Sequence, residues 1–168
     1  DLAEKNNEKR KVFLEKEKFP IPYGIERVPF NIHEPALFSD CFYLHYLNVG
    51  TRLGLQFYAR ALGSSVREDV RKFLTECHDT TAQLYNQVIS VMIAKGIYVR
   101  PPFIPAPESS QFVEKSKMFN GLFGKKRPIN SLEIANVYHQ LELIALDKVL
   151  HTAFAQVTPD EKLKKVFQ

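Results

Sequence analysis

The stretch PALFSDCFYLHYLNVGTRLGLQFYARAL, residues 35–62, decides the fold. Leu37, Cys41, Leu44, Thr51, Leu55, Tyr58 and Leu62 share one arc when each residue advances about 100°. Phe38, Phe42, Val49, Leu53 and Phe57 widen that arc until little is left for water except Asp40, Arg52, Gln56 and Arg60. The pattern predicts a helix over 35–62 that is apolar nearly all round, and such a helix is central in its bundle or covered by a partner subunit. Gly50 and Gly54 inside it each cost about 1 kcal/mol of helix propensity against Ala. Their presence predicts that another backbone approaches there.

On its C-terminal side, Ser65-Val-Arg-Glu68 reads as a capping box that opens a second helix running to Lys95 and stopping at Gly96. The short Gly63-Ser64 link makes the two an antiparallel hairpin over 35–96. On the N-terminal side, residues 1–18 read as the tail of a helix begun earlier, stopped by the prolines of Phe19-Pro-Ile-Pro-Tyr-Gly24. Residues 19–34 and 97–130 are then long Pro-rich straps, the second carrying prolines at 101, 102, 105 and 107 and a short helix over 111–118. Asn130 and Glu133 form another capping pattern, opening a helix from about Ser131 to Val157. Thr158, as cap, with Pro159 at the first helical position starts a last one. The predicted fold class is all-α, a four-helix bundle with crossover straps, folded as a single domain over 1–168.

Composition sets the outer bounds. With 168 residues, 45% of them hydrophobic and 12% aromatic, the chain can bury one core. Collagen, disordered tails and disulfide-rich mini-proteins are excluded by the 7 glycines, the aromatic content and the 2 cysteines. No apolar run approaches the roughly 20 residues of a membrane span, and no signal core opens the chain, so a cytoplasmic protein with no membrane partner is expected. The net charge of +4 is small, and the densest basic cluster, Lys125-Lys126-Arg127, lacks the extended stripe of a nucleic-acid footprint. Nucleic acid is therefore not the expected partner. Cys41 and Cys77 sit in apolar periodic segments and read as packing residues, with no CxxC pair to hold zinc.

The runs Phe19–Gly24, Ala36-Leu-Phe-Ser-Asp40, Lys95-Gly-Ile-Tyr-Val-Arg-Pro-Pro102 and Gly124-Lys-Lys-Arg-Pro-Ile-Asn130 together resemble an uncharacterised bacterial family, domain of unknown function 3231. Its members are two-repeat helical proteins, found chiefly in spore formers and grouped with the ferritin-like bundles. The resemblance extends over nearly the whole chain and implies the middle of the family pattern. That middle comprises the last turns of a second helix, a complete third and fourth, and the first helix of the next repeat with the opening of its second. It implies a ferritin-like four-helix bundle and no established activity; related spore-coat bundles are an analogy.

Ferritin-like di-iron chemistry needs Glu-x-x-His on two helices, so that carboxylates bridge and imidazoles cap from one face. This sequence has no Glu-x-x-His. One constellation remains: Glu142 lies within the apolar arc of the 131–157 helix, with His139 one turn before it. A carboxylate on a buried stripe needs a partner. Arg52 or Tyr138 would satisfy it structurally, the reading given more weight. A single transition metal held by His139, Glu142, His78 and His45 would satisfy it chemically. If Ser64 marks the midpoint of the hairpin, His45 and His78 are offset by about one helical turn. The aromatics Phe38, Phe42, Phe57, Tyr58 and Tyr85 at helical spacing read as core before they read as a ligand cage. The leading expectation is a non-catalytic bundle acting as a homodimer, or with another protein partner. The alternative is a degenerate ferritin-like metal-binding protein or metal-dependent oxidoreductase.

Overall fold

The computed structural model describes residues 2–21, 33, 35–106, 108, 109 and 129–167. Among them it is all-α, with helices α1 (Leu2–Lys16), α2 (Asp40–Gly63), α3 (Glu68–Ala94), α4 (Ser131–Val157) and α5 (Glu161–Phe167), and no strand. The helix expected over 111–118 and the basic cluster at 125–127 lie outside the described residues, as does most of the 19–34 strap. The chain divides into two compact units, Asp1–Ile97 and Tyr98–Gln168.

In the first unit, α2 starts five residues later than the apolar pattern alone predicts. The Phe42 backbone N–H donates to Ser39 Oγ at 3.2 Å, so Ser39 caps the helix and the preceding residues stay outside it. Packing of α2 along α3 forms the antiparallel hairpin. Its connection is longer than Gly63-Ser64, because the capping box expected at Ser65 and Glu68 is not made: α3 begins after Arg67, without a side-chain cap. The two serines instead close the end of α2, with Ser64 Oγ donating to the Arg60 carbonyl and Ser65 Oγ to the Ala61 carbonyl, each at 2.8 Å. Hydroxyls just beyond a helix end satisfy its last carbonyls, which have no partners inside the helix.

Side chains lay α1 along α3 in the opposite direction. The Phe13 and Phe73 rings meet at 5.4 Å between centroids, Lys9 pairs with Glu76 at 2.5 Å, and Arg67 pairs with Glu17 just beyond the helix end. The buried residues of this unit, among those described, are few: Val49, Cys77, Val88 and Met92, joined by the polar Asn48 and Thr51. Thr51 is satisfied by donating to the Leu47 carbonyl at 2.7 Å, while Asn48 Oδ1 has no partner among the described residues.

The two interior glycines differ. At Gly54 an added Cβ would meet Thr81 Cγ2 at 3.2 Å, so the glycine lets α3 come close. At Gly50 nothing lies within 4 Å, and the close approach expected there is absent within the described residues.

In the second unit the Asn130 capping box forms as predicted. Asn130 Oδ1 accepts from the Glu133 N–H and Glu133 Oε2 accepts from the Asn130 N–H, both at 2.9 Å. The start of α5 differs from expectation. Asp160, not Thr158, accepts the first free amides, from Lys162 at 2.7 Å and Leu163 at 3.3 Å. Thr158 closes α4 instead. Phe167 folds α5 back onto α4, its ring 5.5 Å from Phe154 and 5.9 Å from His151.

Helices α1 and α3 end alike. Phe19 N–H donates to the Leu14 carbonyl and Lys18 N–H to that of Glu15; Ile97 and Gly96 repeat the pair on Met92 and Ile93. Both are Schellman ends, whose penultimate residue must be left-handed. Gly96 takes that conformation at φ 66°, and Lys18 takes it at φ 55° with a Cβ in the way. A left-handed non-glycine residue costs about 1 kcal/mol or more. Lys18→Gly is therefore expected to raise the unfolding free energy by about 1 kcal/mol, and Gly96→Ala to lower it by a similar amount. Urea melts followed by circular dichroism read both.

Candidate functional site

The hairpin register locates the histidines of the first unit. Gly54 faces Thr81, and one turn on, Tyr58 faces Cys77. Continuing that register puts His45 level with Ser90 and His78 level with Phe57, about 18 Å apart along the hairpin. The one-turn offset expected from a midpoint at Ser64 is corrected by the longer connection, which moves the midpoint to Arg67 and Glu68. His78 turns toward Asp79, with Nδ1 and Oδ1 3.6 Å apart.

On α4, the i, i+3 spacing brings His139 and Glu142 together, with Nδ1 and Oε2 4.0 Å apart. That separation is an ion-pair contact, too long for a direct hydrogen bond. Both side chains are half-buried, 27% and 26% exposed. They lie on the less exposed face with Ile134, Tyr138, Leu143, Leu146 and Leu150, while Leu132, Val137, Leu141, Ile144 and Val149 are exposed. Glu142 thus sits partly sheltered yet within reach of water, and the apolar arc expected to bury it is itself divided, since Leu132, Leu141 and Val149 of that arc are exposed. His151, further along, faces Asp147 at 3.5 Å.

Among the described residues no three His, Cys, Asp or Glu side chains gather as a group that could hold a metal ion. The donor set among the described residues does not fit a ferritin-type di-iron centre. The aromatic residues form separate clusters rather than a cage. Phe38 stacks on Phe42 at 4.2 Å and Phe42 on Tyr46 at 6.5 Å at the start of α2, whereas Phe57 meets Tyr58 at 5.6 Å near its end.

The strongest electrostatic cluster was not singled out by sequence patterning. Arg67 grips Asp69 through Nε at 3.1 Å and Nη2 at 2.8 Å, and reaches Glu17 with Nη1. The Arg67 guanidinium holds the Asp69 carboxyl below the usual carboxylate range, and Asp69 followed by Glu17 pushes the guanidinium further up. Such planar, two-pronged pairing ties the end of α1 to the start of α3. The signal available in sequence was the Arg-x-Asp spacing at a helix start. Asn48 was also missed; its signal was a lone amide beside an apolar arc.

No helix among the described residues is long and apolar enough to cross a membrane. The fold class is therefore that of an all-α helical protein, an antiparallel hairpin flanked by α1 in one unit and a long helix with a short return helix in the other. Within that class the chain belongs to the DUF3231 family, proteins of unknown function, whose model matches residues 1–109. The matched region contains Phe19–Gly24, Ala36–Asp40 and Lys95–Pro102. It ends before Gly124–Asn130, so it is shorter than the resemblance read along nearly the whole chain. No curated protein and no solved structure matches the chain.

The two thiols make a direct check on the hairpin. Cys77 is buried and Cys41 exposed, and burial, the largest influence, pushes the Cys77 thiol up. A thiol raised on folding ionises first in the unfolded chain, so its contribution to stability is lost as pH rises past about 8.5. Native protein at pH 8 is expected to react with a thiol reagent at Cys41 alone, with Cys77 appearing only in denaturant. Rapid labelling of two thiols in the native state would contradict the buried position of Cys77.

Proposed function

We propose that this chain is a non-catalytic helical module that works by self-association, as a cytoplasmic ferritin-like bundle of a two-repeat, spore-related kind whose apolar surfaces are covered by a second copy or another protein. One observation carries the reading: large apolar side chains stand in water along α2 and α4, from Phe57 at 66% exposed on α2 to Ile144 at 62% on α4. Scattered exposed apolar residues are ordinary, but contiguous ones mark interaction surfaces. On α2 they recur at Tyr43, Tyr46, Leu53 and Phe57, and on α4 at Val137, Leu141 and Ile144, each series at helical spacing. Membership in a family without known activity is compatible with such a role. Light scattering on the purified chain at micromolar concentration is expected to give at least twice the monomer mass. A monomer there overturns the proposal.

A second reading, a degenerate metal-binding protein or metal-dependent oxidoreductase with a single transition metal, is favoured by the His139–Glu142 pair on one half-sheltered face. On this reading His78 and His45 are the further candidate ligands read from the sequence. On this reading iron, manganese or zinc accompanies the purified protein in near-equimolar amount by elemental analysis, and His139→Ala removes it. A metal-free wild-type preparation that also binds none of these ions in titration overturns it.

A further inference from the structure

We infer that two copies of the chain pair through α2, antiparallel, about a two-fold axis at Gly50. This inference rests on the self-association reading and names its surface.

Gly50 is the starting point. It sits mid-helix, where glycine costs about 1 kcal/mol against Ala, and nothing within the described structure requires it, since an added Cβ would meet no atom within 4 Å. Around it the exposed large apolar residues of α2 form one stripe: Tyr43, Tyr46, Leu47, Leu53 and Phe57. Apart from Tyr46, whose counterpart position is Gly54 against Thr81, the stripe is symmetric in chemistry about Gly50. An aromatic ring lies seven residues to either side, at Tyr43 and Phe57, and a leucine three residues to either side, at Leu47 and Leu53. Opposite charges lie ten residues to either side, at Asp40 and Arg60, both exposed.

A closed homodimer interface is isologous, so each contact occurs twice. Antiparallel pairing of two α2 helices with the axis at Gly50 sets Tyr43 against Phe57 of the second copy, Leu47 against its Leu53 and Asp40 against its Arg60. Ring meets ring, leucine meets leucine, and both ends close with opposite charges. Parallel pairing in the same register would set Asp40 against Asp40 and Arg60 against Arg60, a repulsion at each end. Among the described residues neither Asp40 nor Arg60 has an ion-pair partner in its own chain, so both charges are available to a second copy. Packed helix axes ordinarily stand 8–10 Å apart, set by the side chains at the crossing. A glycine at the crossing point lets the two backbones come closer.

Sedimentation velocity on the intact 168-residue chain and three variants tests the inference. Gly50→Leu fills open space in the single chain, so circular dichroism should show an unchanged or more stable fold, while the dissociation constant rises at least ten-fold. Arg60→Asp puts like charges together at both ends and should weaken pairing by about ten-fold at low salt. The swapped double variant Asp40→Arg/Arg60→Asp should recover most of that loss. A wild-type monomer would overturn the self-association reading and this inference together. A dimeric wild type unmoved by Gly50→Leu and Arg60→Asp would overturn the inference alone and leave association through another surface. Failure of the swap to restore pairing would overturn the antiparallel register.

Discussion

The register between α2 and α3 is the constraint on which the first unit depends. Two contacts set it: the gap at Gly54 that admits Thr81, and the approach of Tyr58 to Cys77 one turn further on. Antiparallel helices can slide by a turn at modest cost if their facing side chains are interchangeable. A glycine opposite a β-branched residue and a hydroxyl opposite a buried thiol are not interchangeable, since a slip would leave a void at one level and a clash at the other. With that register in place, everything else on α2 acquires a direction. Thr51 is buried and bonded to its own helix, and Gly50 is left exposed, with no described atom within 4 Å of a Cβ placed there.

Features confined to a few consecutive residues were legible in the sequence. Asn130 and Glu133 close a reciprocal pair of hydrogen bonds within one turn, so nothing remote can alter the outcome. Gly96 ends α3 for the same reason. Ser65 and Glu68 carry an equally good local signature, and it fails because two neighbours compete for it. The α2 carbonyls take the Ser65 hydroxyl, and Arg67, locked onto Asp69 and Glu17, occupies the cap position. Competition of this kind depends on where α1 lies, and a four-residue pattern carries no record of that.

The candidate site divides along the same line. His139 and Glu142 share a helix, so their meeting follows from helical geometry alone. Bringing His45 to His78 requires knowing where the hairpin turns. A midpoint error of three or four residues doubles when read across two antiparallel strands of helix, converting an offset of one turn into about three. Likewise, the sequence shows two glycines with equal claims to a close contact, and only the register distinguishes Gly54, which has one, from Gly50, which has none.

Burial separates the titratable groups of this chain from its apolar surfaces. A carboxylate sealed in an apolar interior would demand a cation or a metal, because desolvation of an unpaired charge is too costly to leave unmet. Glu142 keeps about a quarter of its side-chain surface exposed, and His139 about the same; at that exposure water stabilises the charge and the demand for a ligand weakens. Apolar groups reverse this logic, because water gives them nothing comparable. Phe57, Leu53, Tyr46 and Tyr43 remain in solvent in the single chain, and each would gain on the order of 1–3 kcal/mol from full burial. The exposed apolar side chains of α2 and α4 leave a hydrophobic term unmet in the single chain, and it is this term that the proposed association would satisfy.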